Sequence, residues 1–521
     1  MRSDGRKRIR PQGMRVMALM ASIVSAGAFA QSANPGPGLT DSRLVYANAV
    51  ERAAAAANQS TFEALDPVCN PGGVFDTVAA PDALQRPEGC TDLQFFVYFT
   101  TRELVHSANA LLGEGATVSS LGVDQRGLGT ALRWTAAEEL AVQGSMATQF
   151  SSNQLSNFAT RISALRQGAR GFSFAGLGLP NTIYADAMQM AKRLDGRASA
   201  GGPSASPKGG FLNLSLSDRE KSTTGNENAF DIDGTEIALG VDYRFRNNFV
   251  LGVIGTYSDQ SVEFNNDAGS VSVVDGGIEA EGTGALVFGM FNGERLFWAT
   301  SIGFQTLDYD MQRDIRYPSF NPNVEASNST ATSQPEAGIV NATLDFGYRL
   351  GSPTVAFEPY LSIDYLDVTV DAFDETRSFN SLSGLIDSDG FNLSVDEQSF
   401  RSMDTAIGMR LQWTLTPEFG VVVPYLTTEY HYELEDSGRV IRARYTGAGN
   451  EAFTFAVPTD PFDTEYFTWA VGLSTVIRGA RQRRAGAPAA GGLSAFAQFQ
   501  SVERLENYEE QVVSAGVRYE F

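Results

Sequence analysis

Ser514-Ala515-Gly516-Val517-Arg518-Tyr519-Glu520-Phe521 is the stretch on which the reading of this chain turns. Val513, Ala515, Val517, Tyr519 and Phe521 share one strand face, and Ser514, Gly516, Arg518 and Glu520 share the other. A strand with one oily and one wet face, finishing on an aromatic side chain, suits a membrane–water boundary. It reads as the last strand of a transmembrane barrel, although soluble sheets can also finish on Phe.

The same alternation runs backward from there to Phe211. Twelve segments of about ten residues carry it, near 210–217, 235–246, 248–260, 278–292, 295–310, 335–350, 354–370, 400–416, 420–435, 464–479, 491–504 and 508–521. Leu212, Leu214 and Leu216 oppose Asn213, Ser215 and Ser217, and Leu411, Trp413 and Leu415 oppose Arg410, Gln412 and Thr414. A soluble sandwich has the same period. The joins discriminate, because short ones (Arg246–Asn248, Asn292–Glu294, Gly351–Pro353, Thr416–Gly420) alternate with long polar ones (311–334, 371–399, 436–463). Short periplasmic turns and long outer loops are the barrel arrangement, and closure removes exposed edges. The join from Arg478 to Gly491 departs from it, being longish and basic.

Upstream, Ala198–Gly210 is small, flexible and Pro-bearing, a linker composition. Before it the period is helical: Arg43–Asn58, Leu93–Leu112 and, best of all, Trp134–Arg170, where Leu155, Phe158, Ile162 and Leu165 line one face while Gln154, Asn157 and Arg161 face elsewhere. Thr182–Leu194 is a further helical piece. The basic start, the apolar run from Val16 to Ala28 and Ala28-Phe29-Ala30 spell a secretory signal over residues 1–30. The fold class expected is therefore α+β and multi-domain: a mainly helical region over 31–180, a helix and linker over 181–209, and a twelve-stranded antiparallel transmembrane β-barrel over 210–521.

With 61 Asp+Glu against 39 Lys+Arg, a net charge of −22, no basic stripe exists to meet phosphates, which disfavours nucleic acid as a partner. Cys69 and Cys90 are the only cysteines and, in an exported chain, read as a disulfide; closing that loop contributes roughly 3 kcal/mol through unfolded-state entropy. His106 and His431 are too few to complete a zinc site with them. Gly171-Phe-Ser173-Phe-Ala175 is a degenerate nucleophile elbow without its final Gly or an acid partner. Asp387-Ser-Asp389-Gly390 with Asn392, Asp396 and Glu397 falls short of a calcium-loop spacing and reads as a solvated acidic loop. Glu281-Gly-Thr-Gly-Ala285 lacks the Lys of a phosphate loop; tight packing in a strand explains its glycines. No enzyme activity, cofactor or metal is expected.

The pattern polar-x-Gly-x-x-aromatic-x-Phe on Ser514, Gly516, Tyr519 and Phe521 resembles the assembly signal of bacterial outer-membrane barrels. Pro424-Tyr425 through Asp460-Pro-Phe-Asp463 to Gly472-Leu473 resembles the late strands of autotransporters of type V secretion, and Trp134–Gly171 resembles a segment found ahead of such barrels. The likeness covers about residues 160–521. It implies a bacterial outer-membrane protein that translocates or anchors its N-terminal region at the cell surface. Its implied partners are membrane lipid, the barrel assembly machinery, periplasmic chaperones and an unidentified surface ligand. It also implies that Thr182–Leu194 plugs the pore. By alternation Asp242, Arg244, Asp345, Arg349, Glu358, Asp364, Arg410, Glu429, His431, Glu433 and Arg518 face the lumen, where they could meet Lys192, Arg193 and Asp195 of the plug. No Asn-Asn bond lies in 172–210, so the N-terminal region is expected to stay attached. The alternatives are a porin-like channel with a periplasmic or plug module, and a surface-anchored hydrolase using Ser173.

Overall fold

A computed structural model describes residues 36–78, 86–166, 172–175, 208–245, 248–264, 276–352, 354–376, 389–415, 421–435, 438–451, 454–478 and 492–520. Its frame is a ring of twelve antiparallel strands. These are β1 (Lys208–Lys221), β2 (Phe230–Arg244), β3 (Phe249–Phe264), β4 (Gly276–Asn292), β5 (Leu296–Tyr317), β6 (Glu336–Tyr348), β7 (Val355–Val370), β8 (Gln398–Trp413), β9 (Val421–Glu433), β10 (Glu465–Arg478), β11 (Gly492–Glu503) and β12 (Tyr508–Glu520). Each pairs with its sequence neighbour, and β12 meets β1 through Tyr508↔Lys221 and Glu509↔Glu220. Below that meeting point the short strand Phe172–Ala175 lies in the seam, parallel to β1 (Phe172↔Gly210) and antiparallel to β12 (Phe174↔Val517). Joins are mostly short at one end of the ring and long at the other, as the spacing predicts; the exceptions are 479–491, long at the short-turn end, and 504–507, short at the loop end.

Strand β5 shows how the ring meets a membrane. Leu296, Ile302 and Phe304 are exposed on its outer face, while Ser301 and Gln305 point inward and are buried. From Leu296 to Thr306 a strand tilted by about 40° climbs about 25 Å, the height of a barrel's lipid-facing band. Then the faces exchange character: Asp308 and Asp310 point outward, and Leu307, Tyr309, Met311 and Ile315 are buried inside. The switch is shared sideways, because Asp259, Glu281, Asp308 and Glu336 are successive register partners across β3 to β6 and all are exposed. At the short-turn end Tyr243, Phe245, Phe249 and Trp298 form a chain of aromatic contacts, the expected interface girdle.

Above the carboxylate row, the inner wall is that of a soluble protein, and a helical cap fills it. The cap comprises α1 (Ala49–Cys69), α2 (Asp92–Leu112) and α3 (Gln125–Ala136). Asn48 accepts from the Glu51 amide at the start of α1, Thr91 and Gln94 form a reciprocal capping box on α2, and Asp124 accepts from the Gly127 amide on α3. A disulfide joins Cys69 at the end of α1 to Cys90 just before α2. The reading of α1 as Arg43–Asn58 is corrected: it starts at Ala49, behind its cap, and runs on to Cys69.

The long joins are not simple solvated loops. Phe373–Asp374, Leu393–Val395, Val440–Tyr445 and Phe455–Pro458 form a four-stranded sheet above the barrel. The acidic-loop reading of 387–397 is corrected accordingly where it is described. Gly390 packs on α2, where an added Cβ would lie 2.7 Å from Thr100 Oγ1, Asn392 accepts from the Thr446 amide, and Asp396 pairs with Arg444 at 3.0 Å.

The expected helix Trp134–Arg170 is two helices. Ala137 adopts φ 53° in a fully buried position, the chain turns through a short 3-10 stretch (Glu138–Ala141), and α4 runs from Val142 to Arg166. The turn carries the chain from the cap into the barrel. Among the described residues no helix is long and apolar enough to cross a membrane.

Candidate functional site in the barrel lumen

Helix α4 occupies the lumen. Its first turn lies at the loop end, where Tyr309 OH donates to the Gln143 carbonyl at 2.8 Å, and its last turn lies near the short turns, where Arg244 Nη2 donates to the Leu165 carbonyl at 3.0 Å. Between them the helix meets the wall row by row. Gln305 Nε2 donates to the Phe150 carbonyl at 3.2 Å. Asn341 Nδ2 reaches Ser151 Oγ, Gln154 Oε1 and Gln305 Oε1 at 2.9, 3.0 and 3.0 Å. Gln154 Nε2 donates to Thr256 Oγ1, Asn157 donates to Glu236, and Arg161 Nε donates to Asp242 Oδ2 at 2.8 Å.

The wall is shaped for this contact. A Cβ at Gly282 would lie 2.6 Å from the Phe150 ring, one at Gly284 2.8 Å from Gln154 Nε2, and one at Gly303 would run into Gln154 Oε1. That accounts for the glycines of Glu281–Ala285. Below the polar rows, Phe158, Ile162 and Leu165 pack with Phe211, Ile254, Leu286 and Phe288. The Arg161 guanidinium also stands 4.8 Å from the centre of the Phe211 ring.

The polar stripe Gln154, Asn157 and Arg161 therefore faces the barrel wall. In water that stripe would be the solvated side of an amphipathic helix. Here the wall at its level carries Glu236, Asp242 and Asn341, and unpaired polar groups buried there would each cost energy. Thr182–Leu194, expected as the plug, lies outside the described residues, as do Lys192, Arg193 and Asp195.

Of the residues read as lumen-facing, Asp242 and Arg244 meet α4. Asp345 accepts from Ser362 Oγ at 2.8 Å, and Asp364 accepts from Thr343 Oγ1 at 2.6 Å. Arg349 pairs with Glu358 at 2.5 Å near the short turns. Arg410 lies 4.3 Å from the centre of the Tyr425 ring. His431 Nδ1 hydrogen-bonds Asp404 Oδ2 at 2.6 Å, its Nε2 lies 3.3 Å from Glu429 Oε2, and its ring stacks on Tyr466 at 4.3 Å. Glu433 accepts from Ser402 Oγ and the Met403 amide. Ser514, Gly516, Arg518 and Tyr519 lie in β12, and Phe521 lies outside the described residues. Ser173 lies in the short seam strand, its backbone paired with Phe211. His106 is buried on α2 against Ser119 Oγ at 2.6 Å, and burial holds it neutral with its pKa lowered to about 3. Among the described residues no cluster of three or more His, Cys, Asp or Glu is arranged to hold a metal.

Sequence reasoning missed Gln154, Asn157 and Arg161 as plug residues, and Glu236, Gln305 and Asn341 as their partners. The available signal was polar residues at inward positions of β2, β5 and β6 opposite a helix whose polar stripe repeats at three and four residues.

At the loop end, the cap is bonded to the barrel's own joins. Arg313 Nε and Nη2 donate to Glu375 at 2.8 and 2.6 Å, and its guanidinium also donates to the Phe391 and Trp134 carbonyls. Tyr445 OH donates to Asn58 Oδ1 at 2.7 Å, and the Phe320 amide donates to the Leu121 carbonyl at 2.7 Å. One apolar core runs from Phe62, Leu104 and Leu132 of the cap to Phe230, Leu307, Ile339 and Val368 of the barrel wall.

A family model described as the autotransporter beta-domain matches residues 211–481. Among solved structures, the translocator domain of autotransporter NalP from Neisseria meningitidis is 12% identical, over 66% of this chain and 98% of that one, with a TM-score of 0.42. The transport unit of the autotransporter AIDA-I from Escherichia coli is 14% identical, over 65% and 97%, with a TM-score of 0.37. The beta domain of the Bordetella autotransporter BrkA is 13% identical, over 60% and 100%, with a TM-score of 0.36. No curated protein matches the chain.

Proposed function

Since this chain belongs to the autotransporter family, whose barrel is set in the bacterial outer membrane, we propose that it delivers residues 36–141 to the outer face of that membrane and keeps them there. The cap is the delivered part, α4 the retained stopper, and the barrel's own joins the dock. One observation carries this reading: the shared apolar core in which Leu104 and Leu132 of the cap pack with Leu307 and Ile339 of the wall. Burying each such side chain contributes about 1.5–3 kcal/mol, so a severed cap would have to expose many of them to leave.

The finer partners belong to the same proposal. The barrel assembly machinery and periplasmic chaperones handle the chain on its way, with the alternating β12 strand as the feature they read. No catalytic step is assigned; a whole-cell esterase activity lost on Ser173→Ala would overturn that.

Val45 is 76% exposed on the cap and provides the test. A Val45→Cys variant should react on intact cells with a maleimide that cannot cross the outer membrane. Reaction only after that membrane is ruptured would place the cap in the periplasm and end the proposal.

A further inference from the structure

Among the described residues β1 and β12 meet directly at two rungs, Tyr508↔Lys221 and Glu509↔Glu220, both at the loop end. Counting on from these, one residue along β12 for each one back along β1, sets Gly516 opposite Asn213 and Val517 opposite Leu212. The short strand Phe172–Ala175 stands between those very residues: Ala175 pairs with both Gly516 and Asn213, and Phe174 with both Val517 and Leu212. It has parted two edges that remain in matching register. Were it withdrawn, β12 and β1 could close on each other without a slip, so that no side chain would change face.

The two closures are energetically similar. Inserted, the strand supplies backbone partners to both edges, which matters where lipid offers none. In exchange, one antiparallel closure becomes an antiparallel and a parallel pairing, the parallel one slightly weaker per residue. The loop end is clasped in either case. Lys221, fully buried, pairs with Asp460 at 2.6 Å and Glu227 at 3.1 Å, and Asp460 also accepts from Thr224 and Asn226.

The inserted strand also reverses the course of the plug. Helix α4 descends the lumen and finishes at Arg166, and Phe172 soon after begins a strand parallel to β1, climbing back toward the loop end. Helix and strand make a hook with one limb laced into the wall. We infer that Phe172–Ala175 is a lock strand with two positions: out of the seam, where β12 closes on β1 directly, and in it, where it barbs α4 against withdrawal toward the outer face. The inference rests on the proposed retention of the cap and names the device that provides it.

Cysteine pairs in the full-length chain, in isolated outer membranes, read the seam. Phe174→Cys with Val517→Cys joins partners on adjacent strands, about 4.5–5.5 Å apart at Cα, and should bridge on mild oxidation. Leu212→Cys with Val517→Cys stands two strand spacings apart, about 10 Å, and should not. Adding Ser173→Pro and Phe174→Pro, which removes amide donors from the inserted strand, should expel it and make the second pair bridge. The same prolines without added cysteines should speed hydrogen exchange of the α4 amides severalfold. Heat-modifiable migration on gels checks folding, and mass spectrometry distinguishes the new bridges from Cys69–Cys90. The two pairs without prolines decide what occupies the seam even where the proline chain does not fold: bridging by Leu212→Cys and none by Phe174→Cys would overturn the inserted strand. In the folded proline chain, a second pair still unbridged would overturn the direct closure, and unchanged α4 exchange would overturn the lock. Val45 labelling reads the side of the membrane the cap occupies and is blind to the seam, so failure of the lock and failure of surface display are separate results.

Discussion

Arg161 and Asp242 form an ion pair with side chains 1% and 3% exposed, 81 residues apart in the chain and inside the lumen of the barrel. Cutting one partner away leaves the other charge buried without its complement, which typically costs about 3–5 kcal/mol. Arg161→Ala should therefore lower the thermal unfolding midpoint of the detergent-solubilised protein far more than Arg161→Met with Asp242→Leu together. Equal losses in the two variants would show that the pair does not hold α4.

The glycines of the wall predict a size limit. Gly282→Val places branched carbons where the Phe150 ring lies, and overpacking of this kind costs about 1–3 kcal/mol. The twin change Gly282→Val with Phe150→Ala should recover much of the loss. Thermal melts of the two variants decide it.

The carboxylate row marks the edge of the lipid band, so neighbouring outward positions on β5 should respond oppositely to the same side chain. Ile302→Arg puts a charge among lipid tails and should cost about 2–4 kcal/mol near mid-membrane. Asp308→Arg, only six residues on, should be close to neutral. Unfolding of both variants in lipid vesicles by denaturant provides the measurement.

Glu139 lies under the junction of cap and barrel, where burial raises its pKa from 4.5 to about 8. Glu138, although paired with Arg133 at 2.7 Å, is likewise raised by burial to about 7. A raised carboxyl pKa means the folded state prefers the protonated form. The stabilising contribution is thus complete below the ordinary value and is lost as pH rises through the folded one. The cap's melting temperature should fall between pH 4.5 and 8, and Glu139→Gln should flatten that slope. An identical slope in the variant would remove Glu139 from the account.

The ring was legible because lipid imposes a strict period: Ile237, Val241 and Tyr243 had to alternate with Glu236 and Asp242, and short joins had to alternate with long ones. The occupant of the lumen was not legible in the same way. Gln154, Asn157 and Arg161 make a stripe that water and a polar wall accept equally, so periodicity alone could not choose between them. The break at Ala137 was hidden for a different reason: alanine is a strong helix former, and only the buried surroundings hold it in a left-handed turn. Nor could alternation announce that β5 exchanges its oily and wet faces at Leu307 and Asp308, because the period continues unbroken while its phase inverts.

That inversion has an engineering corollary. Were an unrelated domain grafted in place of residues 36–141, the upper wall of Leu307, Tyr309, Met311 and Ile315 would become a greasy funnel open to water, prone to cling to whatever passed. Foreign cargo on this scaffold needs either a matching oily underside or a polar re-lining of those four positions.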